Sequence, residues 1–187
     1  PYCKPDTCGF VGLDYANTVQ KPVRFAKALV FDADSDEIVA DNLRTDAAGN
    51  LSFSVSANTA FIVQVYAEST GDGAASWGLR IVDNEGRDQA GDYRIYVLRS
   101  QAVNAETVDA PLTLSAESGW GLTNYTQTRS AAPFAILDSM ISATLYALQG
   151  RSALSFEPID VYWSEANTLD NVGTSYFSGT YIMILGD

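Results

Sequence analysis

Short apolar runs separated by turn-forming polar residues fill most of the chain, some of them alternating apolar with polar positions, and this pattern predicts a β-rich protein. The clearest case is Leu51-Ser52-Phe53-Ser54-Val55, which places Leu51, Phe53 and Val55 on one strand face. Further strands are predicted at Gly9–Leu13, Ala28–Phe31, Ile38–Val39, Phe61–Ala67, Trp77–Val82, Tyr93–Leu98, Pro111–Leu114, Ile159–Trp163, Thr174–Phe177 and Tyr181–Leu185. Small, acidic and glycine residues at Asp32–Asp36, Thr45–Asn50, Asp83–Gly86 and Ser178–Thr180 predict turns. The stretch Asp41–Arg44 is polar, and Ser69–Ser76 reads as a loop and a first boundary. This spacing of strands fits an all-β sandwich.

One segment breaks the pattern. Phe134, Leu137, Ile141, Leu145 and Leu148 recur at three- and four-residue steps, with Ile136, Met140, Ala143 and Ala147 as a second stripe. The period is helical, and two stripes predict a helix covered on both sides. Pro133 suits its first turn and Gly150 its stop. Asp138 lies inside it and, if buried, requires a partner.

With 187 residues, 47% of them hydrophobic, the chain has enough apolar surface for one good core or two small ones. Eleven basic residues against 23 acidic give a formal charge of -12, which repels phosphate backbones and argues against a nucleic-acid partner. No apolar run reaches the length of a membrane span. The chain starts at Pro1 without a basic-then-apolar signal segment and reads as a processed or trimmed product. Cys3 and Cys8 flank Pro5, and in an oxidising compartment they would close a small disulfide loop; free thiols or pairing with another cysteine are the alternatives. So short a loop would tidy the terminus more than stabilise the fold.

Two groups of segments carry a resemblance. Phe25–Val30 through Thr45-Asp46-Ala47-Ala48-Gly49-Asn50 into Leu51–Val55 resembles the transthyretin-like or carboxypeptidase-regulatory-like sandwich, in which such a turn leads into an aromatic-bearing strand. Ser118-Gly119-Trp120, Arg129–Asp138, Trp163–Thr168 and Gly173–Phe177 resemble bacterial secreted or lipoprotein-type zinc-metallopeptidase-like proteins. The tail also resembles the start of a thermolysin-type catalytic lobe, with Thr174–Phe177 as its edge strand and Ile182–Asp187 as the strand ending in Gly-Asp. In that family a His-Glu-x-x-His helix follows, its histidines binding zinc and its Glu acting as general base.

The resemblance implies a mainly β fold: a transthyretin-like or Ig-like sandwich, then an α+β segment with one long helix and a small sheet. The expected divisions are a disulfide-closed arm at 1–8, the sandwich at 9–70, a β-rich connecting region at 77–128, and a helix with strands at 129–187. It further implies an exported, extracellular or cell-surface protein whose parent is a zinc peptidase, truncated here before the zinc-binding helix. The chain contains no histidine, so it carries neither those zinc ligands nor Ser-His-Asp chemistry. What transfers is the edge strand: Thr174, Ser175, Tyr176 and Phe177 are the candidate substrate contacts, since extended peptides add to such edges through main-chain hydrogen bonds.

Other candidate chemistry is sparse. Asp32, Asp34 and Asp36 have the spacing of a calcium loop, but Glu37 and Leu43 stand where an EF-hand needs Gly and Glu, leaving room only for a looser calcium site. Asp83, Glu85 and Asp88 form a similar weak cluster. Tyr93, Tyr96, Trp120, Tyr125 and Trp163 are aromatic enough for a carbohydrate groove, although such residues more often fill cores and rims. The expected role is folding, docking or substrate positioning beside a missing catalytic portion. The rival expectation is a self-assembling extracellular filament or adhesion subunit, in which open strand edges near Phe177 and Ile184 recruit further copies.

Overall fold

The computed structural model describes residues 18–71, 75–106 and 111–186. The predicted strand at 9–13 and the Cys3–Cys8 disulfide lie outside them. Strands β1 (Lys27–Asp32), β2 (Ile38–Arg44), β3 (Ala60–Tyr66), β7 (Val97–Arg99) and β8 (Val103–Asn104) form a first sheet, in the order β2-β1-β3 with β7 and β8 following one another along the far edge of β3. Strands β4 (Glu68–Gly71), β5 (Trp77–Arg87), β6 (Tyr93–Ile95), β9 (Ile159–Trp163), β10 (Tyr176–Phe177) and β11 (Tyr181–Ile184) form a second, in the order β10-β11-β9-β5, with β4 and β6 along the far edge of β5. One helix, α1 (Ala132–Gly150), joins them. The described residues are therefore mainly β, forming two sheets and one helix.

The first sheet is antiparallel throughout, although only β1 and β2 are joined by a short hairpin. The second is mixed: β5, β9 and β11 run parallel, and β10 and β4 lie antiparallel to their neighbours. A parallel pair needs a long crossover, and the segment carrying α1 supplies it between β5 and β9. Helix α1 buries Pro133, Phe134, Leu137, Ile141 and Thr144 against the second sheet, while Ala143 is exposed. Its first stripe is the buried face, and the second is covered only in part. Arg24 supplies the partner that Asp138 requires, its Nε donating to the carboxylate at 2.6 Å.

The two sheets are not successive units. The chain leaves the first sheet at Ala67, between β3 and β4, and returns at Tyr96, between β6 and β7. Both crossings meet at one level. The Ala67 N–H donates to the Tyr96 carbonyl at 2.8 Å, the Ile81 N–H donates to the Ala67 carbonyl at 2.9 Å, and the Tyr96 N–H donates to the Ile81 carbonyl at 3.2 Å. Strands that change sheets in this way turn the corners of a two-layer β structure. One apolar cluster runs through both layers, from Ala28, Val30, Val63 and Val65 to Ile81, Leu137, Ile141 and Val161.

Four sequence readings are corrected. Ser69–Gly71 is strand and not loop: β4 starts at Glu68 and Ser69 is fully buried. In the sheets themselves β4 belongs to the second, and β7 and β8 complete the first. Asp83–Gly86 is not the turn; β5 continues to Arg87 with a register irregularity opposite β6, a bulge in place of a reversal. The reversal comes at Asp88–Asp92, where Gly91 takes a φ of +88°. Leu51–Val55 alternates in burial as expected but forms no ladder, lying extended over the core with Phe53 edge-on to Phe61. Pro111–Leu114 forms no strand.

Candidate functional site: an open strand edge beside a row of tyrosines

The turn Ser178–Thr180, with Gly179 at a φ of +96°, folds β10 back on β11. Tyr176 lies opposite Met183 and Phe177 opposite Ile182, while the far side of β10 meets no strand among the described residues. Thr174, Ser175, Tyr176 and Phe177 are all exposed, Phe177 at 62%. Their roles differ. The Ser175 hydroxyl accepts the Leu185 N–H at 3.0 Å and so continues the hairpin pairing beyond the two-residue ladder. The Thr174 hydroxyl reaches only the adjacent Ser175 carbonyl, at 3.4 Å. Tyr176 and Phe177 present the free edge. The expected open edge at Ile184 is corrected: β11 lies between β9 and β10, and Ile184 is in register with Trp163.

This edge differs from the β2 edge of the first sheet. Edge β2 carries Asp41 and Arg44, a bulged register and Asn42 at a φ of +51°, all features that discourage pairing with another chain. From Ser175 to Leu185 there is no charged residue and no proline. The β10 edge, two residues long, is therefore unguarded by charge or proline.

Alternation along β9 points Val161 and Trp163 into the core, so Asp160 and Tyr162 occupy the opposite face. Tyr162 stacks on Tyr181 with ring centroids 4.8 Å apart and planes at 27°. Tyr93 lies 5.0 Å from Tyr162 on one side, and Tyr176 lies 6.1 Å from Tyr181 on the other. Four tyrosines thus form a row across the second sheet that ends at the open edge. At its margin Arg80 grips Asp160 with two hydrogen bonds of 2.6 and 2.7 Å, and the carboxylate raises the Arg80 pKa. Burial first, then the Asp160 charge, pushes the Tyr162 phenol up; the hydrogen bond to Tyr181 does the same for Tyr176. Alternation in 159–163 sets Asp160 and Tyr162 apart from Val161 and Trp163, but sequence alone did not show that distant strands would align Tyr93, Tyr162, Tyr181 and Tyr176.

The remaining candidates are not gathered with this site. Tyr96 and Trp163 are core residues with rings 5.5 Å apart, and the Tyr96 hydroxyl donates to the Trp163 carbonyl at 3.0 Å. Trp120 and Tyr125 meet edge to face in a loop, where Arg129 lies over Tyr125 at 4.4 Å. Tyr93, Tyr96, Trp120, Tyr125 and Trp163 therefore do not form one groove. Asp32 accepts the backbone N–H groups of Ser35 and Asp34 and the Ser35 hydroxyl, which hold its carboxyl below the usual value. Asp36 lies 3.9 Å from Arg99. Asp83 accepts the Glu85 N–H within the β5 bulge, and Asp88 accepts the N–H groups of Ala90 and Asp92 in its own turn. Among the described residues no three His, Cys, Asp or Glu side chains converge as a metal site. No described helix is long and apolar enough to cross a membrane. Comparisons with protein-family models, curated proteins and solved structures give no match.

Proposed function

We propose that this chain is the non-catalytic front portion of an exported zinc-metallopeptidase-like protein, and that β10 positions an extended peptide by strand addition. The observation that carries this reading is the unguarded β10 edge, antiparallel to its neighbour, at the margin of the parallel run β11-β9-β5. Main-chain groups on such an edge give affinity, and alternate side chains reach either face. On one side a bound strand would meet Tyr176, and on the other Phe177. With no histidine in 187 residues, the chain does not fit the zinc set of that family, and no step of hydrolysis is assigned to it. The metal and the general base belong, on this reading, to a following His-Glu-x-x-His helix. The test is the coding sequence downstream of Asp187: that motif within about a helix and a loop supports the proposal, and a stop codon overturns it.

The same edge supports a second reading, an extracellular subunit that self-assembles through β10. A net charge of -12 opposes close approach of copies, so such assembly would strengthen with added salt. Light scattering over a concentration and salt series separates the two, because peptide positioning predicts a monodisperse monomer throughout.

A further inference from the structure

We propose that Tyr176 and Tyr181 are a site of oxidative cross-linking, at which an ortho-to-ortho carbon bond between the two rings would clasp the edge strand β10 onto β11. The two hydroxyls lie 3.4 Å apart and the rings meet edge-on, tilted at 63° with centroids at 6.1 Å, so the hydroxyl ends and the ortho positions beside them come together across the hairpin. Tyr176 is 40% exposed, open to an oxidant and to solvent that takes up protons. Tyr181 is half-buried on its stack with Tyr162, and Tyr162 touches Tyr93. An electron vacancy created on any of the four rings can therefore pass along contacts to the exposed end. The face-to-face stack of Tyr162 on Tyr181 holds ring faces rather than rims together, which makes the hairpin pair the coupling point.

The chemistry balances with a peroxide as oxidant, acting through a peroxidase in two one-electron steps. Each phenol loses one electron and its hydroxyl proton, giving two tyrosyl radicals. The radicals join through one carbon from each ring, and each ortho hydrogen moves to oxygen to restore the aromatic ring. Two hydrogens leave the protein and one peroxide becomes two waters. Holding both rings in one hairpin gives the pair a high effective concentration, so cross-linking within the chain outruns that between chains in dilute solution. The more exposed Tyr146, on α1, is the natural competitor for coupling between molecules.

The experiment treats the full chain, dilute, with peroxidase and hydrogen peroxide. The expected product is a monomer lighter by two hydrogens, with dityrosine fluorescence and no backbone fragments in tandem mass spectra from cleavage between residues 176 and 181. Tyr176→Phe and Tyr181→Phe should each abolish that product, and Tyr146→Phe should leave it unchanged. Tyr176 is exposed, so Tyr176→Phe keeps the test open even if Tyr181→Phe disturbs the stack. Fluorescence found only in covalent dimers, monomer cross-linking that survives Tyr176→Phe, or no dityrosine at all would overturn the proposal.

Discussion

Arg24 and Asp138, 114 positions apart, are joined by a 2.6 Å hydrogen bond from the Arg24 Nε, and the guanidinium also donates to Ser142 at 2.9 Å. The contact ties the chain ahead of β1 to the middle of α1. Both side chains are mostly covered, at 25% and 18% exposure, so the charge of either would lose its partner in a partly desolvated place. Asp138→Ala should cost about 1 to 2 kcal/mol, read as a lowered urea midpoint, and Arg24→Ala should cost a similar amount. The double variant should lose less than the sum, because the two share one interaction.

The helix is held chiefly by apolar burial. Leu137 and Ile141 are each 1% exposed and face β5 within the common core. Ile141→Ala should destabilise by about 2 to 5 kcal/mol, and Ile141→Val by about 0.5 to 1.5 kcal/mol. Equal losses for the two would show that α1 is not packed as described.

Tyr96 marks the second crossing between sheets. Burial, and then the Asp83 and Glu165 charges, push its phenol well above the ordinary 10.0. Above that pH the unfolded chain gives up the proton while the folded chain keeps it, so stability is full below about pH 10 and falls as pH rises further. Tyr96→Phe removes the hydrogen bond to the Trp163 carbonyl and should cost about 1 kcal/mol at neutral pH. It should also flatten the alkaline fall in stability, and an unchanged alkaline slope would count against this placement of the hydroxyl.

Asp46 shapes the turn before the extended segment. Its carboxylate accepts the N–H groups of Asn50 and Ala48, and the Asn50 bond leads in holding the pKa below 3.8. Its stabilising effect is present above the unfolded value and is lost as pH falls through the lower folded one. Acid titration of folding stability should therefore be shallower in Asp46→Asn than in the parent.

What the sequence made legible was local. Short apolar runs marked β1, β3 and β11, alternation marked β9, and the helical steps from Phe134 to Ile141 marked α1. The need of Asp138 for a partner was readable from its position, but the identity of Arg24 was not. Two-strand handovers were also hidden. Ala67 and Tyr96 sit inside runs that read as single strands, and only the hydrogen bonds to Ile81 show where the chain changes sheets. Polar residues misled at Ser69, which is buried within β4, and at Asp83–Gly86, where turn formers make a bulge. For the site, Tyr176 and Phe177 were visible as a strand. That β10 would be the unguarded margin, and that Tyr93, Tyr162 and Tyr181 would align toward it, depends on pairing between distant segments.

The most direct test of strand addition at β10 is amide hydrogen exchange of the full chain, with and without a tryptic digest of casein as a peptide source. The account predicts fast exchange across Thr174–Phe177 alone and slowed exchange there with peptides, with little change at β2, and loss of the effect in Phe177→Pro. Protection of Thr174–Phe177 without peptide and independent of protein concentration, or no response to peptides at all, would contradict it.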